Sequence, residues 1–566
     1  MAVDNWNGLR DYSRTTMVAL STTALLTACG AIYLLSRLKK RIRQMALWKV
    51  PGPPAVSFIT GELWVRLRRC VLISVSSNDT QMHHVGAGQF HEHIIQTYGR
   101  VIRVSGFLWD TQLIISDPKA CTSILLKDQD IFEETAWSIE CNLHAFGPGL
   151  LGTLGAHHRK QRKQINPVFS AKHLRSMVPL FHKITNQLRD VLKAKVARSP
   201  QEVDILDWLG RLALELVAQG GLGYTFNSLD PEAKENEYGK AIKEFIPTTS
   251  TLVAFRTLFP LISHWPSWLL RFGAKFVPLP MVHNAIRITD IMTRYTKEVF
   301  DEKKALLEKG DVEFKQQLSE GKDIISVLMK TNGDALKEDR LPDDEIMGQM
   351  SSLILAATDT TSTALSRILD ILARHPDVQE KLRQELKDAH ARAGENELGY
   401  DELVELPYLE AVCRETLRVF PPVHFISRVA RADASVPLSQ PIETDGGPVS
   451  SLFVPRGTAV MINIIGANRD PSIWGADAAD WKPERWLAPL PDSVADARIP
   501  GIYSNTLTFL GGGRACIGFK FSQLEMKVAL SQLVTEFRFS PSKEEIVWRF
   551  GGITTPSVKG STALAP

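Results

Sequence analysis

One stretch limits the possible folds more than any other: Asp343 to Arg374 reads as a single uninterrupted helix. Asp343, Asp344 and Glu345 follow Pro342, so acids crowd the positive end of the helix dipole. Apolar residues recur at Ile346, Met350, Leu353, Ile354, Ala357, Ala364, Leu365, Ile368 and Leu369, and Pro376 closes the run. About 32 residues rise ~48 Å, enough to cross a large domain. The apolar positions cover more than one face, which puts such a rod at the centre of a core. Its middle is chemically odd. "AATDTTST", Ala356 to Thr363, places hydroxyls and one acid in a buried helix, although these side chains compete for backbone hydrogen bonds. Thr361 and Thr363 are expected to bond back to the preceding turn. Asp359 with Thr360 is expected to do chemistry, because a buried acid beside a hydroxyl can relay protons.

The remaining pattern suits that rod. Helical periodicity fills Ala171 to Lys195, Glu202 to Ala218 and Met281 to Glu308. Strand-like runs are few: Arg100 to Gly106, Gln112 to Ser116 and Thr458 to Asn468. The fold class is mainly α with a minor β part, in one large domain without internal repeats. A net charge of +3 over 566 residues argues against a nucleic-acid partner. The six cysteines (Cys29, Cys70, Cys121, Cys141, Cys413 and Cys516) form no CxxC pair and no zinc spacing, which suits a reducing compartment.

The N-terminus divides into four parts. Residues 1–16 are a short tail. Residues 17–35, "MVALSTTALLTACGAIYLL", are uncharged and apolar, and about 19 residues span ~28 Å of a bilayer core. Arg37, Lys39, Lys40, Arg41 and Arg43 follow, so that side faces the cytosol. The alternative is a cleaved signal peptide, but its charge would precede the apolar run. The expectation is a single-pass anchor in the endoplasmic reticulum membrane, with a lumenal tail and a cytosolic body. Residues 36–54 are a basic linker ending in "PGPP", a stiff extended joint that would set the body's distance from the membrane. The body is 55–566. Within it, Val65 to Gln81 is basic, then β-prone, then polar, and fits neither flank. It reads as a surface insertion or as a retained intron: valine codons begin with GT, glutamine can be CAG, and Ser77-Asn78 can encode CTAAC. Sequencing the mature transcript decides between them.

Four further stretches carry chemistry. "ETLR" sets Glu415 and Arg418 one turn apart, either a surface ion pair or a buried one completed by a third group. "WKPERW" supplies Arg485 as that group. "LGAHHRKQRKQINPVFS", Leu154 to Ser170, is a basic helix start that also suits a solvated face. "FLGGGRACIG", Phe509 to Gly518, holds one cysteine in a glycine-rich turn, where backbone can come close to something bound.

Together these residues resemble the cytochrome P-450 superfamily, the haem-thiolate monooxygenases, from Pro51 to Pro556. Phe509, Gly512, Arg514, Cys516 and Gly518 fill FxxGxRxCxG. Ala356 to Thr360 match A-G-x-D/E-T with alanine in the glycine place. Glu415 and Arg418 match ExxR, and Pro483 to Trp486 match P-E-R-F/W. The resemblance implies that Cys516 ligates the iron of haem b, with Phe509 shielding the sulfur. It implies that Arg514, Arg162 and Arg428 pair the propionates. His158 stands where the family usually has tryptophan, and Asn468 where histidine is more usual. Asp359 and Thr360 would deliver protons to dioxygen, and Glu415, Arg418 and Arg485 would form a buried structural triad. Substrate would meet Phe146, Ala356, Val423, Phe425, Ile426, Ile553 and Thr554, mostly apolar walls. The aromatic stretch Leu252 to Pro280 is either plain core or a membrane-dipping gate.

The implied reaction inserts one atom of O2 into a hydrophobic substrate. No GxGxxG opens a helix after a strand, so electrons would come from NADPH through a separate reductase. The basic face near Arg159 to Lys163 and the Cys516 loop could dock that partner. The chain is expected to act as a monomer, with membrane lipid as a further partner. Two rivals stand: a haem-thiolate isomerase or peroxygenase needing no reductase, and a non-catalytic haem-binding protein. The acid–alcohol pair argues against both. The motif wording is similar to members from mushroom-forming fungi, which act on terpenoids and other secondary metabolites or on aromatic xenobiotics.

Overall fold

The computed structural model describes residues 31, 35–36, 38–54, 88–106, 110–231, 236–252, 265–309, 323–334, 336, 338 and 340–560. The tail 1–16, the apolar run 17–35 (Ala31 and Leu35 aside) and the insert 65–81 lie outside them. Among the described residues no helix is long and apolar enough to cross a membrane.

In chain order the elements used below are α1 (Gly88–Tyr98), β1 (Val101–Ser105), β2 (Thr111–Ile115), β3 (Phe132–Glu133), α2 (Ala136–Phe146) and α3 (Gly155–Ile165). Then come α4 (Ala171–Val196), α5 (Ile205–Val217), α6 (Glu237–Leu252), α7 (Ser267–Ala274), α8 (Pro280–Lys309) and α9 (Asp343–Arg374). The C-terminal part holds α10 (Pro376–Ala393), α11 (Pro407–Val419), β4 (Phe425–Ala430), β5 (Ala434–Ile442), β6 (Val449–Val454), β7 (Ala459–Asn463), α12 (Phe519–Glu536), β8 (Ile546–Phe550) and β9 (Thr554–Val558).

The central rod is α9, bounded by Pro342 and His375. It packs most extensively on α5, with α8, α11 and α12 around it, in the largest apolar core of the described chain. Side-chain caps start its neighbours: Ser170 Oγ accepts from His173 N at the head of α4, and Asp204 Oδ1 from Asp207 N at the head of α5.

The main sheet runs β1-β2-β7-β4-β3, with only the β2–β7 pair parallel. Its last two long strands set Arg428 opposite Val460 and Phe425 opposite Asn463. The expected strand Thr458 to Asn468 is shorter than the sequence suggests. Asn463 turns its side chain back to accept from Gly466 N at 2.9 Å, which caps a helical turn over Ile464–Asn468. A local side-chain bond wins over the ladder there.

The basic linker is docked against the sheet. Gln44, fully buried, donates to Thr111 O at 3.0 Å and accepts from Thr111 N at 3.1 Å, and Lys40 pairs Asp110 at 2.7 Å. Arg103 N donates to Pro51 O at 2.9 Å, and a Cβ on Gly52 would sit 1.9 Å from Arg103 O. "PGPP" is therefore packed on β1, where glycine is needed for the close approach. In the aromatic stretch, residues 253–264 lie outside the described residues. In its described part, Trp265, Trp268, Phe272 and Phe276 are exposed, so these four are not core.

Candidate active site

The cysteine turn is shaped by the protein around it. A Cβ on Gly511 would lie 1.6 Å from Pro500 O, one on Gly512 2.0 Å from Leu125 O, and one on Gly513 2.7 Å from Gln129 Oε1. Gly512 also has φ 75°, and Leu510 takes the left-handed region at φ 55°. These three glycines let the turn dock on neighbouring backbone and on Gln129. Gly518 differs: an added Cβ meets nothing within 4 Å, and the residue lines the cavity that Cys516 faces. Cys516 N donates to Phe509 O at 2.9 Å, closing the turn. Burial raises the Cys516 thiol, while the Gly518 N–H and the Arg162 charge pull it back.

Behind the turn, Glu415 and Arg418 are both fully buried and doubly bonded, at 2.7 and 2.8 Å. Of the two readings of that pair, the buried one holds. Glu415 also accepts from Arg485 Nε at 3.3 Å, Lys482 N at 3.0 Å and Trp486 Nε1 at 2.9 Å. Arg418 donates to Asn468 O at 2.9 Å and Ala478 O at 2.6 Å. Asn468 carries the network onward: it donates to Thr508 Oγ1 at 2.9 Å and accepts from Leu507 N at 2.8 Å, next to Phe509. So the departure at Asn468 has a structural place, tying α11 to the cysteine turn.

Cys516 opens into a cavity of about 980 Å³ between α9 and the main sheet. Thr360 and Thr361 of α9 face it, and Asp359 sits one residue back. Burial pushes the Asp359 carboxyl up to about 7, against the lowering pull of Lys243. Thr360 Oγ1 donates to Ala356 O at 2.7 Å, so this hydroxyl, rather than that of Thr361, bonds back to the preceding turn. Thr361 and Glu525 of α12 are buried next to each other, and burial raises the Glu525 carboxyl well above its usual range, with the Thr361 hydroxyl pulling it down. Glu525 was not legible beforehand, because nothing in "FSQLEMK" separates it from a solvated helix acid.

One edge of the cavity is cationic. His158, Arg162, Arg428 and Arg514 all line it. His158 is buried and lowered to about 3 by that burial, then by Arg514, Arg162 and Arg159, so its imidazole is neutral. Burial also lowers Arg428, while Glu134 raises it. A haem-thiolate site takes a cysteine sulfur for the iron and cations for the propionates. Cys516, the open space over Gly518 and this row of arginines fit that group.

The expected substrate wall is brought together only in part. Ala356, Phe425 and Ile426 line the cavity, and Val423 and Ile426 line an adjoining one of about 220 Å³ with Thr360 and Cys516. Phe146, Ile553 and Thr554 are not among the lining residues. Phe146 turns into the helical core against Phe245, ring centres 5.0 Å apart. Thr554 bonds instead to Pro422 O through its N–H and to His424 Nε2 through its hydroxyl, both at 2.9 Å, which holds the β8–β9 turn against β4's approach.

The comparisons agree with this geometry. The family model for cytochrome P-450 matches residues 75–562. Cytochrome P-450 monooxygenase 91 of Postia placenta is 44% identical, over 94% of this chain and 95% of its own length. A ganoderic acid synthetase of Ganoderma lucidum is 40% identical, over 96% and 97%. A monooxygenase of Hericium erinaceus is 35% identical, over 90% and 96%. A thiol, the hydroxyls of a central helix and a cationic edge thus meet around one cavity in a chain that, by these matches, belongs to the cytochrome P-450 family and is one of its monooxygenases.

Proposed function

We propose that this chain holds haem b through Cys516 and inserts one oxygen atom of O2 into a hydrophobic organic substrate. The other atom leaves as water, with two protons and two electrons. The electrons come from NADPH through a separate flavin reductase. The observation that carries the reading is the single cavity shared by Cys516, Thr360 and an apolar wall of Ala356, Phe425 and Ile426. Bound haem supplies the redox chemistry of dioxygen activation, and its thiolate ligand favours O–O cleavage. Arg162, Arg428, Arg514 and His158 hold the propionates. The apolar wall orients substrate and excludes water. The relative named as a ganoderic acid synthetase supports a secondary metabolite, and product analysis with a set of terpenoids and aromatic xenobiotics tests the substrate class.

Asp359 holds a proton on its carboxyl near neutral pH, and Thr360 Oγ passes it into the cavity. Thr360→Ala is expected to keep consuming NADPH while peroxide is released in place of product; unchanged coupling of NADPH to product removes the relay role. Asp359→Asn adds a stability test. The folded carboxyl titrates above its unfolded value of 3.8, so its protonated form stabilises the fold fully below that value. That contribution is lost as pH rises from about 4 through about 7. The variant should therefore gain thermal stability over wild type at alkaline pH and match it at strongly acidic pH; equal gaps at both sink the assignment.

The apolar run 17–35 would anchor the chain in the endoplasmic reticulum membrane. Exposed Leu35 at its end, Leu38, Ile42 and Met45 beyond it, and exposed Trp268, Phe272 and Phe276 on or beside α7 support a membrane-facing side. Carbonate extraction of the full chain tests the anchor. The reaction itself is tested by reconstitution with and without reductase. Product with NADPH and reductase is the expected result; product with peroxide alone favours the peroxygenase reading.

A further inference from the structure

The cationic edge of the cavity also carries one acid. Glu134 follows β3 and sets its carboxylate between two arginines: Oε1 lies 3.4 Å from Arg428 Nη2, and Oε2 lies 3.2 Å from Arg514 Nε. The arrangement is held from several sides. Arg431 Nη2 donates to the Glu134 main-chain oxygen at 2.9 Å. Arg514 reaches Leu150 O at 3.3 Å and Thr153 O at 2.5 Å with its two terminal nitrogens. The Arg428 side chain is only 4% exposed and that of Glu134 16%, so bulk salt screens the group weakly. Glu134 lines both the main cavity and a small one behind it.

The charges point the same way. Arg162, Arg428 and Arg514 bring three positive charges to this edge. Their neighbours are matched elsewhere, Arg159 by Asp130 and Arg431 by Glu133. Two haem propionates would leave one positive charge over, and Glu134 cancels it. Each guanidinium has five N–H donors in a planar fork, more than Glu134 and the backbone carbonyls take, so one arginine can serve two carboxylates.

We propose that Glu134 is a counter-ion shared with the haem: it divides Arg428 and Arg514 with the propionates, aims both guanidiniums, and lowers the iron's reduction potential by removing a surplus positive charge. It is a positioning residue. This rests on the reading of the cavity as a haem site, and the two can fail separately.

Glu134→Gln keeps the shape and removes the charge. The carbon monoxide difference spectrum of wild type comes first; its absence defeats the haem reading itself. The ferric–ferrous midpoint is then measured by spectroelectrochemical titration, and haem loss by transfer to apomyoglobin. Glu134→Gln is expected to shift the midpoint to more positive potential, in high salt as in low, and to release haem several-fold faster. Glu134→Asp should stay near wild type, and Glu133→Gln, at an acid that pairs with Arg431 and reaches Arg514 only as a weaker through-space charge, should move the midpoint much less. A purely structural role speeds haem loss and leaves the midpoint alone. An unmoved midpoint in Glu134→Gln, or an equal shift in Glu133→Gln, overturns the proposal. If Glu134→Gln loads no haem, Glu134→Asp decides: loading with a wild-type midpoint supports the charge, and failure of both overturns it.

Discussion

Cys516→Ala is expected to abolish the thiolate-specific carbon monoxide difference spectrum and all turnover, while the apoprotein stays folded. Of the four cysteines described, Cys121 and Cys413 are buried, and burial pushes the Cys413 thiol up to about 12. Cys141 is raised to about 11 by the same cause. Cys516 alone among them lies on the cavity wall, with a backbone N–H and a guanidinium favouring its anion. The turn is docked through Gly511, Gly512 and Gly513, none of which the substitution touches. A surviving spectrum in Cys516→Ala that vanishes in Cys413→Ala would mean the wrong sulfur has been assigned.

Arg418→Ala should cost the most stability of any single change considered. It leaves Glu415 fully buried with one cation fewer, and it strips partners from the carbonyls of Asn468, Ala478 and Asp480. Breaking a buried pair by removing one partner costs roughly 3–5 kcal/mol. Arg418→Lys should rescue little, because an ammonium cannot bond Glu415 in parallel and reach three carbonyls as well. Because the same network reaches Leu507 and Thr508, haem content should fall along with stability. A denaturant midpoint equal to wild type, with full haem content, would show that the triad is dispensable.

Much of this was legible beforehand because the signals are local. The bounds of α9 follow from Pro342, three acids and Pro376, and its apolar positions at helical spacing face the core of α5 and α12. The cysteine turn announces itself through glycines, since positive φ and close backbone approach demand them wherever the contact partner lies. What those glycines touch was a different matter. Leu125 O, Pro500 O and Gln129 come from distant segments, and only Gly518 keeps space beside the sulfur. Thr458 to Asn468 misled for a similar reason: its apolar alternation continues, but the Asn463 side chain ends the strand.

By itself, then, the sequence determined the central helix and the cysteine turn and set Asp359 beside Thr360, because each rests on residues within a few positions of one another; Arg162, Arg428 and Arg514 lie far apart in the chain and were named only through the family resemblance. Tertiary structure decided which charges meet. Glu134 and Arg514 are hundreds of residues apart, and an acid in "IFEET" looks like any surface acid until β3 pairs with β4 and brings it between Arg428 and Arg514. It also decided the cavity wall, turning Phe146 into the helical core and pinning Thr554 on Pro422 and His424. Side-chain spacing along a chain sets local conformation, whereas the partner of a buried charge depends on which distant backbone closes over it.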